Sequence, residues 1–431
     1  MNGFLSKVSE LDRRRFIELA AKSILGVSIL PILAQKNVAQ EVPSLGTGKA
    51  KRLIYLFMSG GVSHLDTFDL KPGHESQGET RPIQTSVPGT QVGHLLPTIA
   101  SQFDQLTVVR SLHTQTGDHE AGEYLMRTSY EAIASERHPS IGPWLQQLKG
   151  RQNKSLPDTI IIGAPARHPG AGFFDPSFSP LPIGDPNRGL ENTSAPEYLT
   201  LESFEKRITL IDRFDKKFRE KYRVKKVQAY TDFYSEATNL LSSGELQAFD
   251  LNKEKNEDRD RYGRDPFGQG CLLARRLIEN NVPCVEVTCG GWDMHSGIYK
   301  SDALPARAGL LDRAFGNLIK DLSERNLLDE TLVVLTTEFG RSPKFNFNIG
   351  RDHHPAAFSS VLAGGGFKGG QYYGKSDAAG HGVEQDGVSP ADFNATIAAA
   401  LGLPLDKVVH SPTGRPFTVA NNGKPIVKLF S

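Results

Sequence analysis

Short apolar runs that stop in loops loaded with Asp, Glu or His recur along this chain. RLIYLFM (52–58) runs into SGGVSHLD, LTVVR (106–110) into SLHTQTGDHE, VPCVEVT (282–288) into CGGWDMHS, and TLVVLTT (331–337) into EFGRSP. In GRDHHPAAFSSVLAGGG (350–366) the polar group comes first. Near-continuous apolar runs mark parallel strands buried on both faces, and in open α/β sheets ligands sit outside the carboxyl ends of such strands. The pattern therefore predicts that His64, Asp66, His113, His119, Asp293, His295 and Glu338 reach one edge of one sheet. Asp352, His353 and His354 join them from a loop that leads into a strand.

Between these runs the period changes to that of helices. Leu273/Leu277 and Ala274/Ile278 predict an amphipathic helix over 270–281. Leu304, Ala308, Leu311, Phe315, Leu318 and Leu322 form one stripe behind a Ser301 cap, and shorter helices are expected at 120–128 and 140–148. Ser389-Pro390-Ala391-Asp392 spells an N-cap, Pro at N1 and an acid at N3, opening a helix that Gly402 stops. Strands alternating with helices give an α/β chain with a mostly parallel sheet covered by helices. Residues 70–95 predict a loop and a hairpin, and the Pro-, Gly- and Phe-rich stretch 163–195 is expected to cover the active edge. The charged segment 197–262 predicts a helical insertion, with its run at 252–261 as a solvated face.

Composition narrows the picture. A chain of 431 residues, 38% hydrophobic, can bury one large α/β core, and its net charge of +1 argues against a nucleic-acid surface. No apolar run approaches the length of a membrane span. Arg13-Arg14-Arg15-Phe16-Ile17 followed by a short apolar stretch matches an export signal of the twin-arginine type over 1–39. Its removal takes away six Lys/Arg and three Asp/Glu, turning +1 into −2. A periplasmic or extracellular location follows, with 40–431 as a single domain. Cys271, Cys284 and Cys289 make no disulfide framework and are expected as small buried hydrophobes.

The loops carry the candidate chemistry. Asp293 and His295 sit two apart directly after a strand, a carboxylate and an imidazole that can chelate one ion or simply brace the loop. Of the adjacent His353 and His354, only one can point inward from an extended segment, and His353 is favoured as the ligand. Arg351 would clamp a phosphate or sulfate oxygen or pair with Asp352 or Glu338. Glu338 would be a metal ligand, a general base or a loop brace, with Arg341 close behind. His119 stands at a helix start, with Thr114 and Thr116 as nearby hydroxyls. Ser63, His64 and Asp66 follow Gly60-Gly61, which allow close backbone approach to a ligand.

The ordered set RRRF, GGVSHLDTFD, GDHEAGEYL, CLLARRLIE, GWDMHSG, TTEFGRSP, GRDHHPAAF and GGGFKGGQYYGKSD resembles the domain-of-unknown-function 1501 family, itself similar to the alkaline phosphatase and sulfatase superfamily. The resemblance implies a doubly wound sheet with helices on both faces and a metal site at its carboxyl edge. It implies an exported, metal-dependent hydrolase of phosphate or sulfate esters, acting on an anionic ester or a sulfated or phosphorylated glycan. The divalent metal would be zinc, with manganese, iron or calcium as alternatives. Metal ligands are expected among Asp293, His295, His353, Asp66 and Asp352, and Glu338, His119, Arg351 and Thr116 are expected to carry the chemistry. The chain departs from the superfamily where Phe339 replaces a His, and no Cys/Ser-x-Pro-x-Arg formylglycine motif occurs. Those departures keep open a non-catalytic binding or assembly protein on the same fold.

Overall fold

The apolar runs assemble into one eight-stranded sheet in this computed structural model, whose described residues are 48–163, 167–190 and 244–431 with a few positions between 206 and 213. The strands are β1 (Arg52–Met58), β2 (Leu106–Leu112), β3 (Thr159–Ile162), β4 (Leu181–Ile183), β5 (Cys284–Cys289), β6 (Thr331–Thr336), β7 (Phe358–Ala363) and β8 (Gln371–Tyr373). Their order is β8-β2-β7-β6-β1-β5-β3-β4. Only β7 runs antiparallel to its neighbours, β6 and β2; all other pairings are parallel. The polar group that precedes β7 in sequence therefore emerges at the edge where β1, β2, β5 and β6 end.

Strand β1 shows how sequence becomes layers. Successive side chains of a strand point to opposite faces. Leu53, Tyr55 and Phe57 enter one buried cluster, and Ile54, Leu56 and Met58 enter another. The first cluster is closed by α2 (His119–Thr128), α3 (Ile141–Lys149) and α7 (Pro390–Ala400) through Met126, Trp144, Leu145, Phe393 and Ile397. The second is closed by α1 (Pro97–Ser101), α5 (Pro266–Glu279) and α6 (Leu304–Glu324) through Ile99, Leu273, Leu277, Leu311, Phe315 and Leu318. Each fully buried Leu or Phe is worth about 1.5–3 kcal/mol relative to exposure, which makes the two faces the main source of stability. The expected doubly wound α/β sheet with helices on both faces is present.

Several boundaries differ from the sequence expectation for identifiable reasons. Helix α5 begins at Pro266 because the Asp265 carboxylate accepts from the N–H groups of Phe267 and Gly268. Strand β4 was not expected; Leu181–Ile183 adds in parallel to Ile160–Ile162 at the sheet edge. The charge run at 252–261 is not simply solvated. It forms part of α4 (Asn256–Tyr262), and Arg261 donates to Asp321 on α6 at 2.7 Å. The export signal and most of the helical insertion lie outside the described residues. The hairpin expected within 70–95 is formed by Pro82–Gln84 and Gln91–Gly93. All three cysteines are buried and unbridged. No helix among the described residues is long and apolar enough to cross a membrane.

Candidate metal centre

Four elements deliver one cluster. Helix α2 starts with His119, its N-terminus capped by the Asp118 carboxylate, which accepts from Ala121 N–H. The loop after β5 supplies Asp293 and His295, and the loop after β6 supplies Glu338 and Arg341. A two-residue ribbon sets His353 opposite Arg341 and His354 opposite Gly340. The packing is close enough to demand glycine. A Cβ on Gly60, at φ +119°, would lie 2.6 Å from Asp293 N, and one on Gly350 would lie 2.1 Å from His295 C. The close approach expected at Gly60-Gly61 is thus to the protein's own loops rather than to a ligand.

The geometry around Asp293 is that of a donor set. His119, Asp293 and His353 each offer one ligand atom, all within 4.8 Å of one another. His119 Nε2 lies 3.4 Å from Asp293 Oδ2, and His295 Nε2 and His353 Nε2 lie 2.9 and 3.1 Å from Oδ1. The Nε2 atoms of His295 and His353 are 2.9 Å apart. A tetrahedral ion with bonds of about 2.0–2.1 Å sets its donors about 3.3 Å apart, so the set of His119, Asp293 and His353 fits one small divalent cation, with His295, whose Nε2 is also 3.4 Å from Arg341 Nη1, beside it. The other nitrogen of each ring is held from outside. His119 Nδ1 lies 2.7 Å from Glu338 Oε1, His295 Nδ1 2.8 Å from Asp352 Oδ1, and His353 Nδ1 2.6 Å from the Gly117 carbonyl. That is how metal-binding imidazoles are oriented, with the outer N–H given to a carboxylate or carbonyl and the inner lone pair left free. His119 Nε2 is buried with no hydrogen-bond partner, an arrangement that is costly unless something binds there.

The electrostatics favour an ionised carboxylate. Burial pushes the Asp293 carboxyl up, but Arg341, which donates from Nη2 at 2.5 Å, together with His353 and His295, outweighs burial and holds it well below the usual range. The Glu338 hydrogen bond raises the His119 imidazole above its ordinary value, against burial. Glu338 itself is fully buried, with Oε1 accepting from Gly60 N–H at 2.7 Å and Oε2 from the Thr337 hydroxyl at 3.0 Å. The Asp293 and His295 side chains are 46% and 44% exposed, so the cluster is open to solvent. Phe339 packs against the His119 and His353 rings, with centroids 4.9 and 4.8 Å away, and forms an apolar wall beside them.

The other expected site residues are placed elsewhere. Asp66 and Arg351 form a fully buried pair with Nε–Oδ2 at 2.9 Å. The Asp66 carboxylate also accepts from Ser63, Thr80 and Tyr299 hydroxyls. The Arg351 guanidinium donates to the Ser342, Pro343 and Ser76 carbonyls and lies 4.0 Å over the Phe345 ring. With every partner internal, this pair braces the loops and leaves no free group for an ion or an anion. Asp352 faces the outer nitrogen of His295 and also accepts from Asn346 Nδ2, so it braces that ring and stands apart from the expected ligand position. Thr116 accepts from Asp118 N–H at 3.2 Å, within the turn that leads to α2. His64 is buried against the Gly380 carbonyl at 2.8 Å, and burial lowers its pKa to about 4. His354 faces the His381 carbonyl. The Arg341 guanidinium binds Asp293 and the carbonyls of Gly60, Gly61 and Arg351.

A family model described as "Protein of unknown function (DUF1501)" matches residues 50–430. No curated protein matches the chain in sequence. Among solved structures, the chain is similar to a protein in the alkaline phosphatase superfamily from Vibrio parahaemolyticus, over 84% of this chain and 71% of that one, at 10% identity and a TM-score of 0.41. A sulfatase from Pseudoalteromonas sp. is similar over 88% and 72%, at 13% identity and a TM-score of 0.38. The phosphonate monoester hydrolase of Agrobacterium radiobacter is similar over 88% and 77%, at 12% identity and a TM-score of 0.35.

Proposed function

We propose that this chain, which belongs to the DUF1501 family, is an exported metal-dependent hydrolase of phosphate or sulfate esters, with zinc as its ion. One observation carries the metal: three imidazoles have their Nδ1 atoms bound to outside acceptors while their Nε2 atoms gather around the Asp293 carboxylate. Two imidazole nitrogens and one carboxylate oxygen suit zinc, and the same set accepts manganese or iron. Hydrolytic zinc sites keep a fourth position open for water; a set of His119, Asp293 and His353, with the Asp293 side chain 46% exposed, would leave one. A divalent ion held here would act as a Lewis acid toward an ester oxygen and would lower the pKa of water.

The chain's own residues prepare that chemistry. Glu338 keeps a proton on His119 Nδ1, Asp352 on His295 Nδ1 and the Gly117 carbonyl on His353 Nδ1, so that all three inner lone pairs are available. Arg341 keeps Asp293 ionised and fixes its rotamer. Phe339 limits water on the side of His119 and His353. Among the described residues no hydroxyl side chain is hydrogen-bonded to His119, Asp293, His295 or His353, and in our reading water is the nucleophile. The ester class, phosphate or sulfate, is the one that the sequence resemblance implies.

The test is turnover of p-nitrophenyl phosphate and p-nitrophenyl sulfate by metal-stripped protein reloaded with zinc, manganese or iron. Hydrolysis of at least one ester, restored by metal and abolished in Asp293→Ala, is the expected result. Stoichiometric metal without turnover of either ester would instead favour a binding protein built on the same centre.

A further inference from the structure

The loop at 342–352 carries a feature that the metal centre does not use. Its two aromatic residues have opposite fates. Phe345 is packed beneath the Arg351 guanidinium and against Tyr299, with ring centroids 5.9 Å apart. Phe347, two residues on, is 95% exposed, more than any other large hydrophobic among the described residues. Ile349 beside it is 60% exposed. A phenyl ring left in water contributes nothing to the fold, since its burial is what stabilises.

The tip that holds Phe347 is nevertheless tightly built. Asn346 Oδ1 accepts from the N–H groups of Asn348 and Gly350 at 3.0 Å each. Asn346 N–H donates to the Gly350 carbonyl at 2.9 Å, and Ile349 N–H to the Asn346 carbonyl at 3.1 Å. The Asn348 and Ile349 carbonyls accept from Gly297 and Ile298 N–H at 2.8 and 2.9 Å, which binds the tip to the loop carrying His295. Ile349 sits at φ +56°, a conformation that β-branched residues rarely adopt. Such strain persists only where the surroundings over-determine it.

The same Asn346 joins the tip to the metal centre. Its Nδ2 donates to Asp352 Oδ1 at 2.9 Å and to the His295 carbonyl at 3.0 Å. The residue that fixes the backbone of Phe347 thus also holds the carboxylate that orients His295. The backbone that carries Phe347 is therefore tied to the loop of His295, while its ring stands open to solvent.

We propose that the 343–350 loop is a substrate subsite in which Phe347 stacks on the face of a sugar ring whose ester group reaches the metal centre. The chemistry of the tip selects this occupant. The apolar spot is the size of one ring plus one aliphatic side chain, smaller than the patches of several hundred Å² that mark protein or membrane contacts. It is flanked in sequence by Asn348 and Lys344, an amide and an ammonium that suit hydroxyls and an ester anion. A pyranose has the matching character, with an apolar C–H face, hydroxyls at its rim and here a negative substituent. The proposal rests on the reading of the centre as an ester-hydrolysing site and names the class of its substrate.

The test compares ring-bearing and ring-free esters. Glucose 6-sulfate and glucose 6-phosphate are set against methyl sulfate and methyl phosphate, with wild type and Phe347→Ala, both checked for equal metal content. We expect kcat/KM for the sugar ester to fall about tenfold in the variant, through KM, while the methyl ester is unaffected. An unchanged sugar-to-methyl ratio in Phe347→Ala would overturn the proposal. If neither ester is turned over, the hydrolase reading fails on its own. Binding of glucose 6-sulfate, followed by intrinsic fluorescence or NMR, then decides the subsite: binding lost in Phe347→Ala supports it, and no binding or equal binding overturns it.

Discussion

Glu338 shows what a single residue contributes without touching an ion. It is fully buried, it is held by Gly60 N–H and the Thr337 hydroxyl, and it presents Oε1 to His119 Nδ1. Removing such an orienting partner costs about 10–100-fold in metal affinity. Glu338→Gln is therefore expected to bind zinc about 10–100-fold more weakly at an unchanged melting temperature in chelator, measured by competition with a chromophoric chelator. An unchanged zinc affinity would remove Glu338 from the centre. At this scale the sequence was informative about which loops meet at the sheet edge: Asp293, His295, His353, Glu338 and His119 all come to one place. It was silent about Asp66 and Arg351, because their pairing joins two loops far apart in sequence and satisfies both groups internally. A strand-end rule locates a side chain; it does not say whether a buried partner has already claimed it.

Helix α2 connects the centre to the sheet by a polar stripe. His119, Glu123 and Arg127 recur every four residues on one face. His119 meets Glu338, Glu123 accepts from the Ser59 hydroxyl, and Arg127 donates to Glu286 on β5 at 2.9 Å. His168 holds the other Glu286 oxygen at 2.9 Å. Burial pushes the Glu286 carboxyl up, but Arg127 and His168 outweigh it and bring it down to about 2 from an ordinary 4.5. A depressed carboxyl stabilises the fold fully above its unfolded pKa and loses that contribution as pH falls toward the folded one. Wild type should therefore lose stability between about pH 4.5 and 2, while Glu286→Gln lacks that part of the loss. Breaking a buried pair costs about 3–5 kcal/mol, so Glu286→Gln should be weaker by that order at pH 7 in urea unfolding. Equal stability of the two proteins at pH 7 would contradict the assignment. At the C-terminal helix, the Ser389 hydroxyl accepts from Asp392 N–H at 3.1 Å, and Ser389→Ala should cost about 1 kcal/mol.

The Ser389 cap and the 304–322 stripe were legible in the sequence, but the helix that carries the stripe has Ala303 at its N-cap and not the expected Ser301, because the turn before it ends two residues later. The polar stripe of α2 was not legible. Charged residues at helical spacing look solvent-facing until the carboxylates and hydroxyls opposite them are known. The ribbon that faces His353 with Arg341 was equally hidden, since two-residue strands carry no period.

For the whole molecule, alternating residues of β1 feed two separate cores, so the sheet is held from both faces and its carboxyl edge is left free for loops. Parallel direction was readable from buried apolar runs, and the reversal of β7 explains how a polar group preceding a strand reaches the same edge as those following one. The strand order was not readable, because it depends on which crossover each helix makes. A centre at the edge of a sheet with two independent cores should be separable from the fold. Chelation should lower the melting temperature while far-UV circular dichroism at 25 °C stays the same. The expected export signal has its own test: Arg14→Lys with Arg15→Lys should retain the protein in the cytoplasm of the producing cell, and unchanged export would contradict it.

The central claim is that His119, Asp293 and His353 hold a metal, with His295 beside them. Elemental mass spectrometry on wild type and Asp293→Ala, both purified without chelator and both shown to be folded, tests it most directly. About one equivalent of zinc, manganese or iron per wild-type chain, absent from the variant, is the result this geometry predicts. No stoichiometric metal in wild type even after reloading, or equal metal in Asp293→Ala, would contradict it.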